Sequence, residues 1–241
     1  MAPTIRRCNE HGGTESKEAR KQRLFESRRE REFYSYYESV LAYASKGPKF
    51  CDLHDPMLAA THEAVCSMDT TLTALTQLAA LRLGAKRSMI FFFDSEYAYV
   101  IAESTRTLSL HNAKDHDPGD SLWLGFTKIP RGLSVCEVTA NLPVNEGSNA
   151  QDPDTNRIAH IINDLTEDVR FCDRPYVSDG PKARFYAGVP ISTPKGINIG
   201  AICVLDDKPR DGLELGEVEL LQSLASAVMS HLEMVSSRST F

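Results

Sequence analysis

The sequence predicts an α+β fold built on an antiparallel sheet. Two segments, 86–104 and 183–210, each contain a pair of apolar runs joined by a tight turn, which is the pattern of a β-hairpin. Other segments carry apolar residues three and four positions apart, as amphipathic helices do. Strands and helices do not alternate along the chain as they do in a parallel sheet. Hairpins with helices packed against them are therefore the expected arrangement.

The hairpin at 183–210 is the clearest element of this prediction. Its turn is Thr193-Pro194-Lys195-Gly196. Proline at the second of the four turn positions and glycine at the fourth are typical of a type I turn. Pro190 cannot donate a hydrogen bond to a neighbouring strand, so we expect a bulge or a solvent-facing position there. Apolar residues fall on every second position of both strands and predict a face directed at a core: Phe185, Ala187, Val189 and Ile191, then Ile199, Ala201, Cys203 and Leu205.

The hairpin at 86–104 turns at Asp94-Ser95-Glu96. Its first strand is apolar on both faces, because Ile90 and Phe92 alternate with Phe91 and Phe93. We expect such a strand in the middle of the sheet, with both of its faces covered.

Three helices are predicted around the hairpins. Residues 16–46 are expected to form a helical extension, which follows a polar, disordered tail at 1–15 and contains Leu24 and Phe33 in its apolar stripe. A second helix opens at Asp55-Pro56, with aspartate as N-cap, and closes at Gly84. A third covers 213–235. The stripe of the second helix comprises Val65, Met68, Leu72, Leu75 and Ala79.

The segment between the hairpins is less regular. We expect a short strand at 122–124, a short helix within 130–140, a mobile polar stretch at 141–156 and a further strand at 160–164.

Composition excludes several classes of protein. A net charge of −6 argues against nucleic-acid binding, which usually requires a basic surface. No apolar run approaches the roughly 18 residues of a membrane span, and the N-terminus lacks the apolar segment of a secretory signal. Six dispersed cysteines predict reduced thiols rather than a disulfide framework. We therefore expect a cytoplasmic protein.

Several short motifs resemble one family. RFYAGVP at 184–190, Gly200 and CVLDDKPR at 203–210 are similar to the C-terminal hairpin of GAF domains, in particular those near the N-terminus of fungal hybrid histidine kinases. Further upstream, the same likeness covers REREFYSYYE, ESTRTLSL, DPGDSLWLG and INDLTEDVRFCDRPYV. The resemblance implies a GAF-like central antiparallel sheet of five to six strands, with helices packed on one face and loops over a pocket on the other. It implies a sensor domain at 55–236 that ends in a long signalling helix.

The resemblance also directs attention to pocket residues. The wall is expected to be aromatic, with polar contributions, although an aromatic stripe is more often core than ligand cage. Pairing of Arg184 with Asp164 is favoured over anion binding, because a lone buried charge is costly. The signatures of cyclic-nucleotide-binding and bilin-binding members are absent, so no cofactor is expected. The candidate pocket residues are Phe91, Phe93, Tyr99, Trp123, Phe126, Asp164, Arg170, Arg184, Tyr186 and Cys203.

Two kinds of chemistry remain as alternatives to simple binding. Some GAF-fold proteins reduce free methionine sulfoxide with pocket cysteines, which makes Cys136, Cys172 and Cys203 candidates for a thiol enzyme. Cys203 is most simply a small core residue. A zinc site could use Cys51, His54, His62 and Cys66, although four unrelated residues near a helix start is the favoured interpretation, so no metal is expected.

Kinase machinery is not predicted within the chain. His231 lies in a helical Ser-His-Leu-Glu sequence but lacks the residues that follow a phospho-acceptor histidine, and glycine-rich ATP-binding boxes are missing. The chain is therefore expected to be a non-catalytic input module of a two-component or phosphorelay sensor.

The terminal helix predicts association. Its apolar stripe continues to within six residues of the chain's end, farther than the sheet is expected to cover. Pairing of two such helices would give a homodimer, and a dimerisation scaffold without ligand is a further alternative. The predicted seam is Val218, Leu221, Ala225, Val228, Leu232 and Val235.

Overall fold

A computed structural model describes residues 16–44, 51–52, 57, 60–110, 112, 115–143 and 159–238. Within these ranges the side chains of 18, 21–22, 37–44 and 51–52 lie outside the description. The predicted tail at 1–15 and the predicted helix start at Asp55-Pro56 also lie outside it, as does most of the predicted mobile stretch. The helices are α1 (Lys17–Ala44), α2 (Thr70–Arg82), α3 (Cys136–Ala140), α4 (Pro175–Ser178) and α5 (Leu215–Arg238). The strands are β1 (Cys51–Asp52), β2 (Arg87–Phe93), β3 (Tyr97–Thr105), β4 (Thr127–Pro130), β5 (His160–Ile162), β6 (Phe185–Ser192) and β7 (Asn198–Asp206).

The strands form one sheet in the order β1-β4-β3-β2-β7-β6-β5. Six strands are antiparallel to their neighbours, and the two-residue β1 adds a parallel pair at the β4 edge. Both predicted hairpins are present, and β2 lies near the middle of the sheet with both faces buried. The α+β prediction is confirmed.

The sheet separates two apolar cores, because successive strand residues point to opposite faces. Ile90 and Phe92 belong to a core beneath α1, α2 and α5, whereas Phe91 and Phe93 belong to a second core beneath α3, α4 and loops. In β7, Ala201, Cys203 and Leu205 face the second core, but Ile199 faces the first. The change follows a register irregularity in the β6–β7 pair, at Ile191/Ser192, which leaves Ile199 without a partner in the ladder.

Pro190 itself stays in register opposite Ala201. The described residues of β5 reach only Gly188 on the other side of β6. The bulge expected at Pro190 is not there, and the irregularity of the ladder lies between Ile191 and Ser192.

The predicted helical dimer seam is part of the chain's own core. Val218, Leu221, Ala225, Val228 and Leu232 are buried beneath α1 and against the sheet, and Val235 is half-buried. The assignment of this stripe to an intermolecular seam is therefore wrong for its five buried residues, because the sheet and α1 cover them.

The second helix is shorter than predicted. It begins after Asp69, whose carboxylate accepts hydrogen bonds from the backbone N–H groups of Thr71 and Leu72, both 3.0 Å. Val65 and Met68, assigned to its stripe, precede it and are 42% and 48% exposed.

Two further predictions differ from the structure. The strand predicted at 122–124 lies at 127–130 instead, where Lys128 and Pro130 obscure the alternating pattern. Leu24 is exposed on α1. The buried face of α1 contains Phe33, whose ring centroid lies 5.4 Å from that of Tyr99 and 6.0 Å from that of Phe92.

Candidate functional site

A cavity of about 480 Å³ lies on the face of the sheet opposite the long helices. Its floor comes from β2, β6 and β7, and its walls from α3, α4 and the loop before β4. Most of its lining is apolar, which is usual for small-molecule pockets. The lining residues are His62, Met89, Phe91, Trp123, Leu124, Ile129, Pro130, Leu133, Ser134, Val135, Cys136, Pro175, Tyr176, Tyr186, Cys203 and Leu205.

Glu103 on β3 holds the loop that supplies one wall. Its carboxylate accepts hydrogen bonds from the backbone N–H groups of Trp123 (2.8 Å), Leu124 (2.8 Å) and Gly125 (2.6 Å). Arg87 on β2 donates to the same carboxylate, and both side chains are buried. A buried charge needs such partners to be tolerated. The Glu103 carboxylate therefore fixes where Trp123 and Leu124 meet the cavity.

Trp123 packs against two neighbours on that wall. Its ring centroid lies 6.4 Å from that of Tyr176 in an edge-on arrangement. Gly180 also approaches the indole, since an added Cβ there would lie 2.9 Å from the indole Nε1. The indole is thus held by close packing on the cavity wall.

Two thiols meet on the floor of the cavity. The Sγ atoms of Cys136, the first residue of α3, and Cys203, on β7, are 3.4 Å apart. The Tyr186 hydroxyl donates to Cys136 Sγ at 3.3 Å and lies 2.6 Å from Thr139 Oγ1. Thr139 Oγ1 is in turn 3.2 Å from His160 Nδ1. A chain of four polar side chains therefore ends at the Cys136 sulfur.

The two thiols have opposite acid–base character. Burial acts to raise the pKa of Cys136, but hydrogen bonds from Cys203, Tyr186 and Ser134 outweigh it and lower that pKa. Burial, together with the neighbouring Cys136, raises the pKa of Cys203 well above its usual value. Burial also raises the pKa of the Tyr186 hydroxyl, so it stays protonated and able to donate.

His160 gives a testable pH dependence of stability. Burial, then the charge of Arg170, lowers its pKa from 6.5 to about 4 in the folded protein. The neutral ring is therefore favoured on folding, so the stabilisation is fully present above about pH 6.5 and is lost as the pH falls toward 4. With a discount for partial exposure, we expect about 2 kcal/mol of unfolding free energy to be lost.

Urea denaturation at several pH values would measure this loss. His160→Gln should flatten the dependence between pH 6.5 and 4, whereas the control His116→Gln, in the loop after β3, should leave it in place. An unchanged pH profile in His160→Gln would contradict the assignment.

Four of the ten predicted pocket residues line the cavity: Phe91, Trp123, Tyr186 and Cys203. Phe93 lies in the same core without lining the cavity. Tyr99 and Phe126 were wrongly placed, since both belong to the core on the helical face.

The three charged candidates lie outside the cavity. Asp164 and Arg184 form an ion pair near the surface, as the favoured interpretation expected, and this pairing holds the pKa of Asp164 well below its usual range. Arg170 is paired with Asp168 at 2.6 Å.

Sequence reasoning missed the walls of the cavity. His62, Leu133 and Tyr176 come from irregular segments or a short helix, which carry no periodic signal. Glu103 did leave a signal, since a carboxylate in an otherwise apolar strand requires buried partners.

The zinc hypothesis gains no support from the described residues. Among them, no group of three or more histidine, cysteine or acidic side chains is arranged to hold a metal ion. The Nε2 of His62 lies 2.7 Å from the Leu124 carbonyl oxygen, which it contacts as donor. The side chains of Cys51 and His54 lie outside the description. Among the described residues, the His231 side chain is not part of such a group either. Its Nε2 contacts the Asp69 carboxylate at 2.7 Å and so links α5 to the start of α2.

A second depression, of about 580 Å³, lies beside Trp123 and has charged side chains in its lining. Two of its basic side chains are already paired, Lys86 with Asp207 at 3.4 Å and Arg87 with Glu103. It therefore supports ligand binding less strongly than the apolar cavity does.

Among the helices of the described residues, none has both the length and the apolar character that a membrane-crossing segment needs.

Comparison with known proteins gives a family match. A family model of the GAF domain matches residues 67–232, more than half of the chain. A cyclic di-GMP phosphodiesterase from Pseudomonas aeruginosa is 42% identical over 76 residues, which are 32% of this chain and 13% of that protein. The chain thus spans a small part of the length of this curated relative.

Solved structures with low sequence identity are also similar. They include the blue-light-absorbing form of the PixJ GAF domain of Thermosynechococcus elongatus, at 15% identity and a TM-score of 0.47, covering 71% of this chain and 90% of that one. A type II free methionine-R-sulfoxide reductase from Thermoplasma acidophilum has 12% identity and a TM-score of 0.45, covering 69% and 92%. Similarity at this level indicates nothing about what this chain binds.

Proposed function

The chain belongs to the GAF domain family, whose members occur in sensor proteins, and we propose that it is a non-catalytic sensor module that binds a small ligand. The observation that carries the proposal is the apolar cavity of about 480 Å³ on the sheet face opposite the long helices. The proposed domain covers 55–236, with 16–46 as a helical extension.

The lining favours a neutral, largely apolar ligand. Among the described lining residues there is no Lys, Arg, Asp or Glu, so an anion or cation would be buried without an opposite charge. Aromatic rings from Phe91, Trp123, Tyr176 and Tyr186 provide flat surfaces against which a ring system could pack.

Blocking the cavity with a bulky residue tests this proposal. Leu133 lines the cavity and is 36% exposed, whereas Leu110 is 37% exposed and is not among the lining residues. We expect indole, as a neutral probe, to raise the Tm of the wild type and of Leu110→Trp by roughly 5–10 °C at a concentration of about 100 Kd. Leu133→Trp should lose most of that rise in differential scanning fluorimetry. An equal rise in both variants, or none in the wild type, would count against the cavity as a ligand site.

The sheet offers a route from the cavity to the terminal helix. On β6, Tyr186 lines the cavity, while its neighbours Phe185 and Ala187 lie in the core shared with α5. A ligand that displaces β6 would therefore change the packing of α5. Such a route is what a sensor module needs. On the likeness of the motifs at 184–190 and 203–210 we propose, more finely, an input module in the phosphorelay of a fungal hybrid histidine kinase. We also propose that the module works in the cytoplasm.

Homodimerisation through helices is also proposed, with a different seam. The exposed apolar residues of α5 include Leu215 and Met234, and those of α1 include Leu24 and Phe25. A charged substitution in the buried stripe, such as Leu232→Glu, would not test dimerisation, because Leu232 is buried and the substitution would place an unpaired carboxylate in the core.

A thiol-dependent enzyme is the second candidate, favoured by the contact between Cys136 and Cys203. Reduction of free methionine sulfoxide would convert both thiols to a disulfide and release methionine and water. Methionine formation in the presence of dithiothreitol, absent in Cys136→Ser, would support this activity.

A further inference from the structure

The two thiols on the cavity floor are buried and are brought together by the fold. Cys136 is 2% exposed and Cys203 is 0% exposed, and both line the cavity. They come from different elements, α3 and β7, and are 67 positions apart in the chain. The structure describes the side chains of four cysteines, Cys66, Cys136, Cys172 and Cys203, as free thiols, and of these Cys136 and Cys203 contact each other.

We propose that Cys136 and Cys203 are a redox modification site, oxidised to a reversible disulfide by a small hydroperoxide that enters through the cavity. The disulfide would control access to the ligand cavity and so adds a covalent input to the proposed sensor. Disulfide bonds have S–S distances near 2.05 Å, so the two sulfur atoms must approach by a little over 1 Å.

The hydrogen-bond chain gives the two thiols different roles. Since the Tyr186 hydroxyl donates its one proton to Cys136 Sγ, it accepts from the Thr139 hydroxyl, which then accepts from His160 Nδ1–H. Every donor in the chain is thereby directed toward Cys136. Hydrogen bonds to a charged acceptor are the strong ones, so this arrangement stabilises the Cys136 thiolate. Cys136 is therefore the attacking sulfur, and Cys203 is the thiol that resolves the intermediate.

The reaction balances in two steps. The Cys136 thiolate attacks one hydroperoxide oxygen, the O–O bond breaks, and the products after proton uptake are a sulfenic acid and an alcohol or water. Cys203 then attacks the sulfenic sulfur, the S–O bond breaks, and the hydroxyl leaves as water with the Cys203 proton. In total, two thiols and one hydroperoxide give a disulfide, one alcohol or water, and one further water. A dithiol reductant returns both thiols by exchange.

The disulfide would change the shape of the cavity. Cys136 begins α3, and the residues just before it, Leu133 to Val135, form part of the cavity wall. Drawing Cys136 toward β7 moves this wall toward the floor. We therefore expect the oxidised form to bind a neutral ligand more weakly than the reduced form.

Peptide mapping of the full chain tests the modification directly. After treatment with hydrogen peroxide, the wild type, Cys66→Ala and Cys172→Ala should each contain a linked Cys136–Cys203 peptide that dithiothreitol separates. Cys136→Ala and Cys203→Ala should lack it. A sulfinic acid on Cys136 beside an unmodified Cys203, or a link to another cysteine, overturns the proposal, and the wild-type map alone decides this.

Tyr186→Phe tests the positioning role of the hydroxyl. We expect the pH midpoint for alkylation of Cys136 to rise by about one unit and peroxide oxidation at pH 7 to slow about tenfold. A purely structural hydroxyl would leave the midpoint unchanged, and that result overturns the assigned role.

The effect on the cavity has a separate measurement. Indole should raise the Tm of the oxidised wild type less than that of the reduced wild type. Equal rises would disprove the proposal that the disulfide controls ligand binding in the cavity. If indole binds neither form, the proposed ligand function fails. Peptide mapping then still decides whether Cys136 and Cys203 form a disulfide.

Discussion

Replacing Glu103 with alanine is expected to destabilise the protein by about 3–5 kcal/mol, because it breaks a buried ion pair from one side. The variant leaves the Arg87 guanidinium buried without its carboxylate, and the N–H groups of Trp123, Leu124 and Gly125 lose their acceptor. The free energy of unfolding from urea titration measures the loss. The loop that places Trp123 on the cavity wall would also lose its anchor, so we expect indole to bind the folded variant more weakly.

Two controls separate this effect from the loss of any acidic residue. Asp168→Ala removes a surface ion pair with Arg170 and should cost no more than about 1 kcal/mol. The double variant Arg87→Met/Glu103→Leu should be more stable than Glu103→Ala, because it leaves no unpaired buried charge. Similar losses in Glu103→Ala and Asp168→Ala would contradict the role given to Glu103.

Gly125→Ala is expected to cost about 2–5 kcal/mol through two effects that add. The residue has φ +64°, where a side chain is strained by about 1–2 kcal/mol. An added Cβ would also lie 2.4 Å from the Val65 carbonyl oxygen, which receives a hydrogen bond from the Phe126 N–H at 2.7 Å. Overpacking of this kind adds about 1–3 kcal/mol.

Gly119→Ala is the matched control for that experiment. Gly119 has φ +80°, and nothing in the described residues lies within 4 Å of its added Cβ. The difference in unfolding free energy between the two variants isolates the contact with Val65. Equal losses of unfolding free energy in the two variants would mean that the backbone near Val65 can move to accommodate the added Cβ without destabilising the protein.

The hairpins could be predicted because their signals are local. Alternation and turn residues lie within a few positions of each other, and the structure confirms both hairpins. The face occupied by each residue depends also on register, which is set between strands. In the β2–β3 pair, Phe91 is opposite Val100 and Phe92 is opposite Tyr99. Tyr99 therefore shares the helical face with Phe92, although its aromatic character had grouped it with Phe91.

The α5 stripe shows a related limit. Its spacing correctly predicted a helix with one apolar face. A stripe does not reveal what covers it, and here α1 and the sheet cover five of the six residues assigned to a dimer. The cavity walls were harder still, because Tyr176 and His62 reach the cavity through folding of segments that have no periodic pattern of their own.

The position of Trp123 has a practical consequence. It is the single tryptophan of the sequence and lies on the cavity wall. The protein therefore carries an intrinsic fluorophore whose emission wavelength depends on the solvent exposure of the indole. Filling the cavity would expel solvent from around the indole and shift its emission to the blue, so occupancy can be followed in unlabelled protein.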